Sequence, residues 1–348
     1  MRRRRVGHHP DTRRRLQSTH CMDPTPTPAT LRKLRRALLT WYEEHRRELP
    51  WRRDADPYRV WVSEIMLQQT RVAAVVDHYA RFLQKFPTVQ TLAAARGPSV
   101  LAVWSGLGYY HRARRMHQAA KLIARQRKGS FPRTAAEWRE LPGIGRYTAA
   151  AIASIAFGEA VAVVDGNVER VLDRVFGAAR GREAAWQRAE SLLDRGRPGD
   201  FNQAMMELGA TVCTPRAPQC PVCPLHDWCA SRGVGTARPQ SPRKRKQLAY
   251  GLARKNGLVL LAQRPANASL MAGMWELPAL SDAQCNGNEP VATLRHSITD
   301  TDYDVSVFTV PQGKFHGLEV NARWFARRQW ERLPLTGLAR KVLRRLPG

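Results

Sequence analysis

Four cysteines in the middle of the chain, Cys213, Cys220, Cys223 and Cys229, follow one another as C-x6-C-x2-C-x5-C within TVCTPRAPQCPVCPLHDWCA. Four thiolates in so short a stretch can saturate one tetrahedral metal ion or one iron–sulfur cubane. Pro215, Pro218, Pro221 and Pro224 stiffen the loop, so the ligands need no large core of their own. Zinc and iron–sulfur clusters both accept four cysteines, and spacing alone does not choose between them. A pair of disulfides is the weaker reading, because no secretory signal precedes the run and Cys21 and Cys285 stand far from it.

A second stretch with chemistry is LPGIGRYT, Leu141 to Thr148. One helical pattern ends there, Gly143 and Gly145 turn the chain, and another helical pattern begins. Glycine permits positive φ and leaves backbone N–H groups uncovered. At the positive end of the following helix those groups form an anion site, suited to gripping a DNA phosphate without reading sequence. An ordinary helix–helix turn is the plainer alternative. The charge balance favours the first reading: 57 Lys and Arg against 29 Asp and Glu give +28 and a pI near 11.1. Such an excess points to a polyanionic partner, nucleic acid first. No apolar run approaches the roughly 20 residues that span a bilayer, so no membrane partner is expected.

The elements that must position these groups divide the 348 residues into about two domains. Residues 1–28, with Arg2–Arg5 and Arg13–Arg15, read as a disordered basic arm: a transit peptide, a nucleic-acid tether, or sequence upstream of a start at Met22. Residues 29–212 read as all-helical. Leu31, Leu34, Leu38 and Trp41 recur at helical steps, Asp56-Pro57 opens a segment as N-cap and first helical residue, and Val60, Ile65 and Leu67 give that segment an apolar side. Residues 213–229 form the cysteine loop. Residues 230–247, rich in Gly, Pro, Ser and cations, read as a basic linker. Residues 248–348 alternate short strand patterns with a last basic helix over Leu338–Leu346, a separate α+β domain.

Taken together, WVSEIMLQQT (Trp61–Thr70), GLGYYHRA (Gly106–Ala113), LPGIGRYTA (Leu141–Ala149), VVDGNVERV (Val163–Val171) and the cysteine loop resemble the adenine-DNA glycosylase (MutY) family. That family belongs to the endonuclease III-like helix-hairpin-helix superfamily of base excision repair. The likeness runs from Thr30 to Cys229. It implies a 4Fe-4S cluster on Cys213, Cys220, Cys223 and Cys229, shaping a DNA-contacting loop in which Arg216 could meet phosphate. It implies duplex DNA with 8-oxoguanine:adenine or guanine:adenine mispairs as partner, a monomer, and a cytosolic, nuclear or mitochondrial setting.

The resemblance also implies two working carboxylates. Breaking an N-glycosidic bond needs one carboxyl to protonate the departing base and another to face the cationic sugar. Glu64, set among Trp61, Val62, Ile65 and Met66, is the acid implied, and desolvation there would hold it protonated near neutral pH. Asp165 is the sugar's counter-charge, with Tyr147 and Asn167 positioning the pair. A surface glutamate and a simple N-cap are the plain alternatives. Gln69, Leu107 and Tyr109 match the residues inserted where the base leaves. Arg47, Trp51, Leu67 and Glu207 match the base pocket.

Lyase members of the superfamily carry a lysine where this chain has Tyr147, whose phenol cannot form an imine. A monofunctional glycosylase is therefore expected; an endonuclease III-like lyase and a non-enzymatic DNA-binding iron–sulfur protein are the rivals. The last domain resembles Nudix folds but lacks their glutamate-rich magnesium box after Pro278, so hydrolase chemistry is not expected there. Its His296-Ser297-Ile298-Thr299-Asp300 corresponds to the family's 8-oxoguanine loop. Ser297, Ile298 and Thr299 suit that role. Asp300 departs from the family's histidine, since an ionised carboxylate donates no hydrogen bond. Lys314–His316 is the alternative source of a donor.

Overall fold

A computed structural model describes residues 26–177, 181–232, 242–268, 270–285, 288–298, 300–311 and 321–345. Residues 1–25 of the expected arm, 233–241 of the expected linker, Thr299 and Lys314–His316 lie outside the described residues.

Helices fill the first part of the chain: α1 (Pro28–His45), α2 (Pro57–Leu67), α3 (Val72–Lys85), α4 (Val89–Ala94), α5 (Gly97–Trp104), α6 (His111–Gln126), α7 (Ala135–Arg139), α8 (Arg146–Phe157), α9 (Gly166–Phe176), α10 (Arg182–Leu192) and α11 (Pro198–Thr211). The cap expected for α2 is in place: the Asp56 side chain accepts from the Arg59 N–H and Pro57 opens the helix. Helices α4 and α5 do not show in the hydrophobic periodicity, because they are too short to carry a periodic signal. Their starts are marked instead by the reciprocal Thr88/Thr91 capping box and by Pro98.

Two apolar cores form among these helices. One gathers Trp61, Phe82, Trp104 and Trp138 from α2, α3, α5 and α7; the other gathers Leu38, Leu172, Trp186 and Leu208 from α1, α9, α10 and α11. Helix α8 belongs to both, giving Ala149, Ile152 and Ala153 to the first and Ala150 and Ala151 to the second. Its run of alanines is what lets two lobes close on one helix, and a helix apolar on all sides is a core helix. Helix α2 is also buried all round, from Tyr58 and Val60 through Met66, rather than on the single side that Val60, Ile65 and Leu67 suggest.

Beyond the cysteines come β1 (Lys244–Lys255), β2 (Leu258–Gln263), β3 (Trp275–Glu276), α12 (Asp282–Cys285), β4 (Ala292–Ile298), β5 (Thr301–Val310), β6 (Ala322–Ala326), α13 (Arg327–Trp330) and α14 (Gly337–Arg345). The strands order as β3-β2-β1-β5-β4 with β6 on β2; β1 and β5 are parallel and the other pairs antiparallel. Strand β1 corrects the expected linker, since its first residues, Lys244 to Gln247, already pair with Thr301 to Asp304. Ladder bonds override the weak strand propensity of three consecutive cations, whose charged ends stay in solvent. No helix among the described residues is long and apolar enough to cross a membrane.

Helix α11 meets the N-terminus of α9 at Gly209, where a Cβ would stand 2.7 Å from Asn167 Cβ and 3.0 Å from the Asn167 carbonyl oxygen. Gly209→Ala should therefore cost about 1–3 kcal/mol by overpacking and lower the melting temperature. An unchanged melt would show that α9 yields freely at this point.

Candidate active site

Glu64 sits in the last turns of α2 with 6% of its surface exposed. Burial is the main cause that lifts its carboxyl to about 7, with the Asp165 charge adding and the Tyr147 hydroxyl and Arg52 opposing. Tyr147, from the first turn of α8, lies beside it and places its hydroxyl 3.0 Å from Met206 Sδ. One hydroxyl proton cannot serve both neighbours. A carboxylate is the stronger acceptor, so the phenol turns to Glu64 whenever that group ionises. Burial raises the Tyr147 phenol well above its ordinary value, so it stays protonated throughout.

Asp165 is the N-cap of α9, as its plain alternative has it, and it also faces the cavity that Glu64 faces. Three N–H donors fix its oxygens: Asn167 N at 2.9 Å and Val168 N at 2.8 Å on Oδ1, Asn167 Nδ2 at 3.1 Å on Oδ2. Asn167 is held in turn by Arg170, whose Nη2 donates to Asn167 Oδ1 at 2.8 Å and whose Nε donates to the Cys213 carbonyl at 2.9 Å. Nothing in the sequence marks Arg170 as part of the site, because its place in VVDGNVERV looks like that of an ordinary helical cation.

The cavity holds about 600 Å³ between the two lobes. It is lined by Glu64, Asp165, Tyr147 and Asn167, by the pocket candidates Arg47, Trp51, Leu67 and Glu207, and by Gln69 and Gly145. Trp51 serves twice, since it also packs edge-on against Tyr79 in the first core. Glu207 is as buried as Glu64 yet takes the opposite form. Burial pushes its carboxyl up, but bonds from Arg47 and Arg52 outweigh that and bring it to about 2. Arg47 Nε and Nη2 grip it at 2.6 and 2.8 Å, and Arg52 Nη2 at 2.9 Å. Arg52 carries no sequence signal beyond its charge.

Leu107, Tyr109 and Gly143 do not line this cavity. Leu107 is buried in the first core, while Tyr109 is half-buried and Gln69 exposed. Gln69 and Tyr109 both adopt left-handed backbone, at φ 56° and 46°. For a non-glycine residue that costs about 1–2 kcal/mol, and a single buried guanidinium holds both turns. Arg112 donates to the carbonyls of Ile65 (2.8 Å), Met66 (3.0 Å) and Gln68 on one side, and to those of Leu107 (3.3 Å) and Gly108 (3.4 Å) on the other. Among the basic residues of HRARR no pattern singles it out.

At the hairpin, Gly143 has φ 83°, whereas Gly145 is an extended N-cap at φ −91°, so only the first glycine needs the left-handed region. Cys213, Cys220, Cys223 and Cys229 line one small cavity of about 20 Å³, although no metal-type group of His, Cys, Asp or Glu is closed up among the described residues. Arg174 donates to Cys213 Sγ at 3.3 Å and to the Thr214 and Pro215 carbonyls, a cation placed where thiolates would need one. A donor set of four thiols around one cavity, backed by a guanidinium, fits a thiolate-held metal group. In the sheet domain, Ser297 and Ile298 end β4 away from the cavity, and Ser297 Oγ donates to Asp302 at 2.6 Å. Lys244 stands 3.7 Å from Asp300.

A family model described as HhH-GPD superfamily base excision DNA repair protein matches residues 62–195. The adenine DNA glycosylase of Rattus norvegicus is 41% identical over 317 residues, covering 73% of this chain and 61% of the rat protein. The chain thus spans less than two thirds of that relative's length. A thermostable thymine-DNA glycosylase is similar in structure, with 31% identity and a TM-score of 0.55, over 59% of this chain and 98% of its own. An endonuclease III in non-covalent complex with DNA shares the fold at 23% identity and TM-score 0.51, over 58% and 96% of the two chains.

The raised Glu64 carboxyl has a stability consequence. Between an ordinary glutamate value near 4.5 and its own value of about 7, the folded chain keeps a proton that the unfolded chain has lost. Stability from this group is therefore complete below the lower value and gone above the higher, a difference of up to about 3 kcal/mol. Glu64→Gln should raise the melting temperature over the parent at pH 8 and change it little at pH 5. Equal effects at both pH values would contradict the burial account.

Proposed function

Because the chain belongs to the HhH-GPD superfamily of base excision DNA repair proteins, we propose that it is a monofunctional glycosylase removing adenine from mispairs with 8-oxoguanine or guanine. The observation that carries this reading is one buried acid and one tightly capped aspartate facing a single cavity, with Tyr147 between them.

A base inside a duplex has to leave the stack before a carboxyl can reach it. Gln69, just after α2, and Tyr109, just before α6, on the two left-handed turns that Arg112 ties together, are the side chains set to fill the gap. The extruded adenine enters between Trp51, Leu67 and the Arg47–Glu207 pair. Glu64, protonated near neutral pH, gives its proton to a ring nitrogen of the adenine. The bond between the sugar C1′ and the base breaks, and its electron pair leaves with the base. Asp165 faces the positive charge left on the sugar. Glu64, now a carboxylate, accepts a proton from the water that adds to C1′ and so regains its acid form. Tyr147 donates to it in the interval. Gly143, Gly145 and the first turn of α8 supply N–H groups for a backbone phosphate.

Cys213, Cys220, Cys223 and Cys229 would hold a 4Fe-4S cluster. When bound it supplies a fixed, electron-accepting centre that orders the loop, and no residue of the loop lines the cavity of Glu64. Ser297, Ile298 and Thr299 are the candidates for reading the opposite base. Lys244 offsets the charge of Asp300 there.

Glu64→Gln should leave mispair binding intact and slow adenine release by about 10²–10⁴-fold. In the parent chain, single-turnover release should fall as pH rises through about 7, since the donating form is lost. Unchanged release in the variant would remove Glu64 from the acid's role, and efficient borohydride capture on DNA would favour a lyase. Purified protein should carry iron with acid-labile sulfide; stoichiometric zinc would refute the cluster.

A further inference from the structure

The turn Gly106–Tyr109 is tied at both ends to one atom of the sheet domain. Ser105 Oγ donates to the Leu335 carbonyl at 2.5 Å, and the Tyr110 hydroxyl donates to the same oxygen at 3.3 Å. Ser105 and Tyr110 are each 3% exposed and Leu335 is fully buried, so neither bond competes with water. The Gly106 N–H adds a bond to the Tyr110 hydroxyl at 3.4 Å. Leu335 is itself pinned to the sheet, where it bridges Trp275 of β3, and the next residue, Thr336, donates its N–H to the Trp275 carbonyl. Met274, beside that strand, is wholly buried in the first helical core, and Arg114 of α6 donates to the Ala272 carbonyl.

The turn needs such support. Gly106 and Gly108 take φ of 110° and 70° freely, and a Cβ at Gly106 would press on His78 Nε2 at 3.0 Å. Tyr109, at φ 46°, carries a side chain into the left-handed region, and such a residue persists there only where its surroundings hold it. On its other side the turn is held by Arg112, which also holds the carbonyls of Ile65 and Met66, the two residues after Glu64.

We infer that the sheet domain is a brace for the inserting turn: the Leu335 carbonyl, through Ser105 and Tyr110, keeps Tyr109 in the shape that opens the stack. The inference rests on the base-flipping reading above and deepens it, giving the second domain a mechanical part in extrusion beside any part in reading the opposite base. Ser105 and Tyr110 are positioning residues here. Neither lines the cavity of Glu64 and Asp165.

The test uses the full chain carrying Ser105→Ala with Tyr110→Phe, which removes both donors and keeps the ring. Adenine release is measured under single turnover on two duplexes, one with adenine opposite 8-oxoguanine and one with adenine opposite an abasic site, where it is already unpaired. Release from the paired site should fall by about tenfold or more, the consequence of losing both buried bonds to the Leu335 carbonyl in a braced-to-loose equilibrium. Release from the unpaired site should stay at the parent's rate. Stopped-flow fluorescence of 2-aminopurine in place of adenine should show the same delay in extrusion. Met274→Ala, which loosens the seat without touching the turn, should reproduce the split. Equal loss on both duplexes, or no loss on either, overturns the brace. A parent chain that releases adenine from neither duplex would instead refute the glycosylase reading and take the brace with it.

Discussion

The site depends on the withdrawal of one carboxyl group from water. Glu64 and Glu207 are both buried and both face the same cavity, yet they settle at about 7 and about 2. Both carboxyls are withdrawn from water, and their company differs. Glu207 receives two guanidiniums at hydrogen-bond distance, whereas Glu64 meets a neutral phenol, the charge of Asp165 and Arg52 only through its field. Desolvation that finds no hydrogen-bonded cation to offset it is relieved by protonation. Two acids of one kind are thereby made into a proton donor and a fixed anion, a division of labour that proton-transfer chemistry at neutral pH requires.

The fold enforces this by burying α2 on every side from Val60 to Met66 and α8 from Thr148 to Ser154. Either helix turned partly to solvent would hydrate Glu64 and return it to the ordinary carboxylate range. Packing that close leaves carbonyls at helix ends and turns without partners, and arginine supplies them. Arg112 serves the end of α2, and Arg174 serves the entry to the cysteine loop, each 5% exposed or less. Part of the large positive charge is therefore structural. The electrostatic attraction to a polyanion comes from the remainder, such as the exposed cations that open β1.

How much of this could be read from the residues follows the range of the interactions. Asp56-Pro57 as a helix start and the helical steps from Leu31 to Trp41 are local patterns, and the helices stand where those patterns put them. The Glu64 and Asp165 pair was legible only through the motifs around each, because the long stretch between them carries no sign that α2 and α9 meet. Arg112 and the Leu335 carbonyl were not legible at all. A buried arginine looks like an exposed one in a string of letters, and a backbone carbonyl has no letter. Strand β1 was hidden for a related reason: its register partners lie on β5, far along the chain, and its own cations argue for a linker.

The cysteine loop reaches the site without lining its cavity. Its carbonyl at Cys213 is the acceptor that fixes Arg170, Arg170 fixes the Asn167 amide, and Asn167 fixes one oxygen of Asp165. Each link is a charged or amide donor with its acceptor within 3.1 Å, in partly buried surroundings where an unmade bond is costly. A loop held in one conformation by its ligands keeps that carbonyl in place. A loop without them has four prolines but no core of its own, since among its residues only Leu225 is buried in the second lobe. The orientation of Asp165 is thus set at one end by the backbone of α9 and at the other by a backbone carbonyl of the cysteine loop.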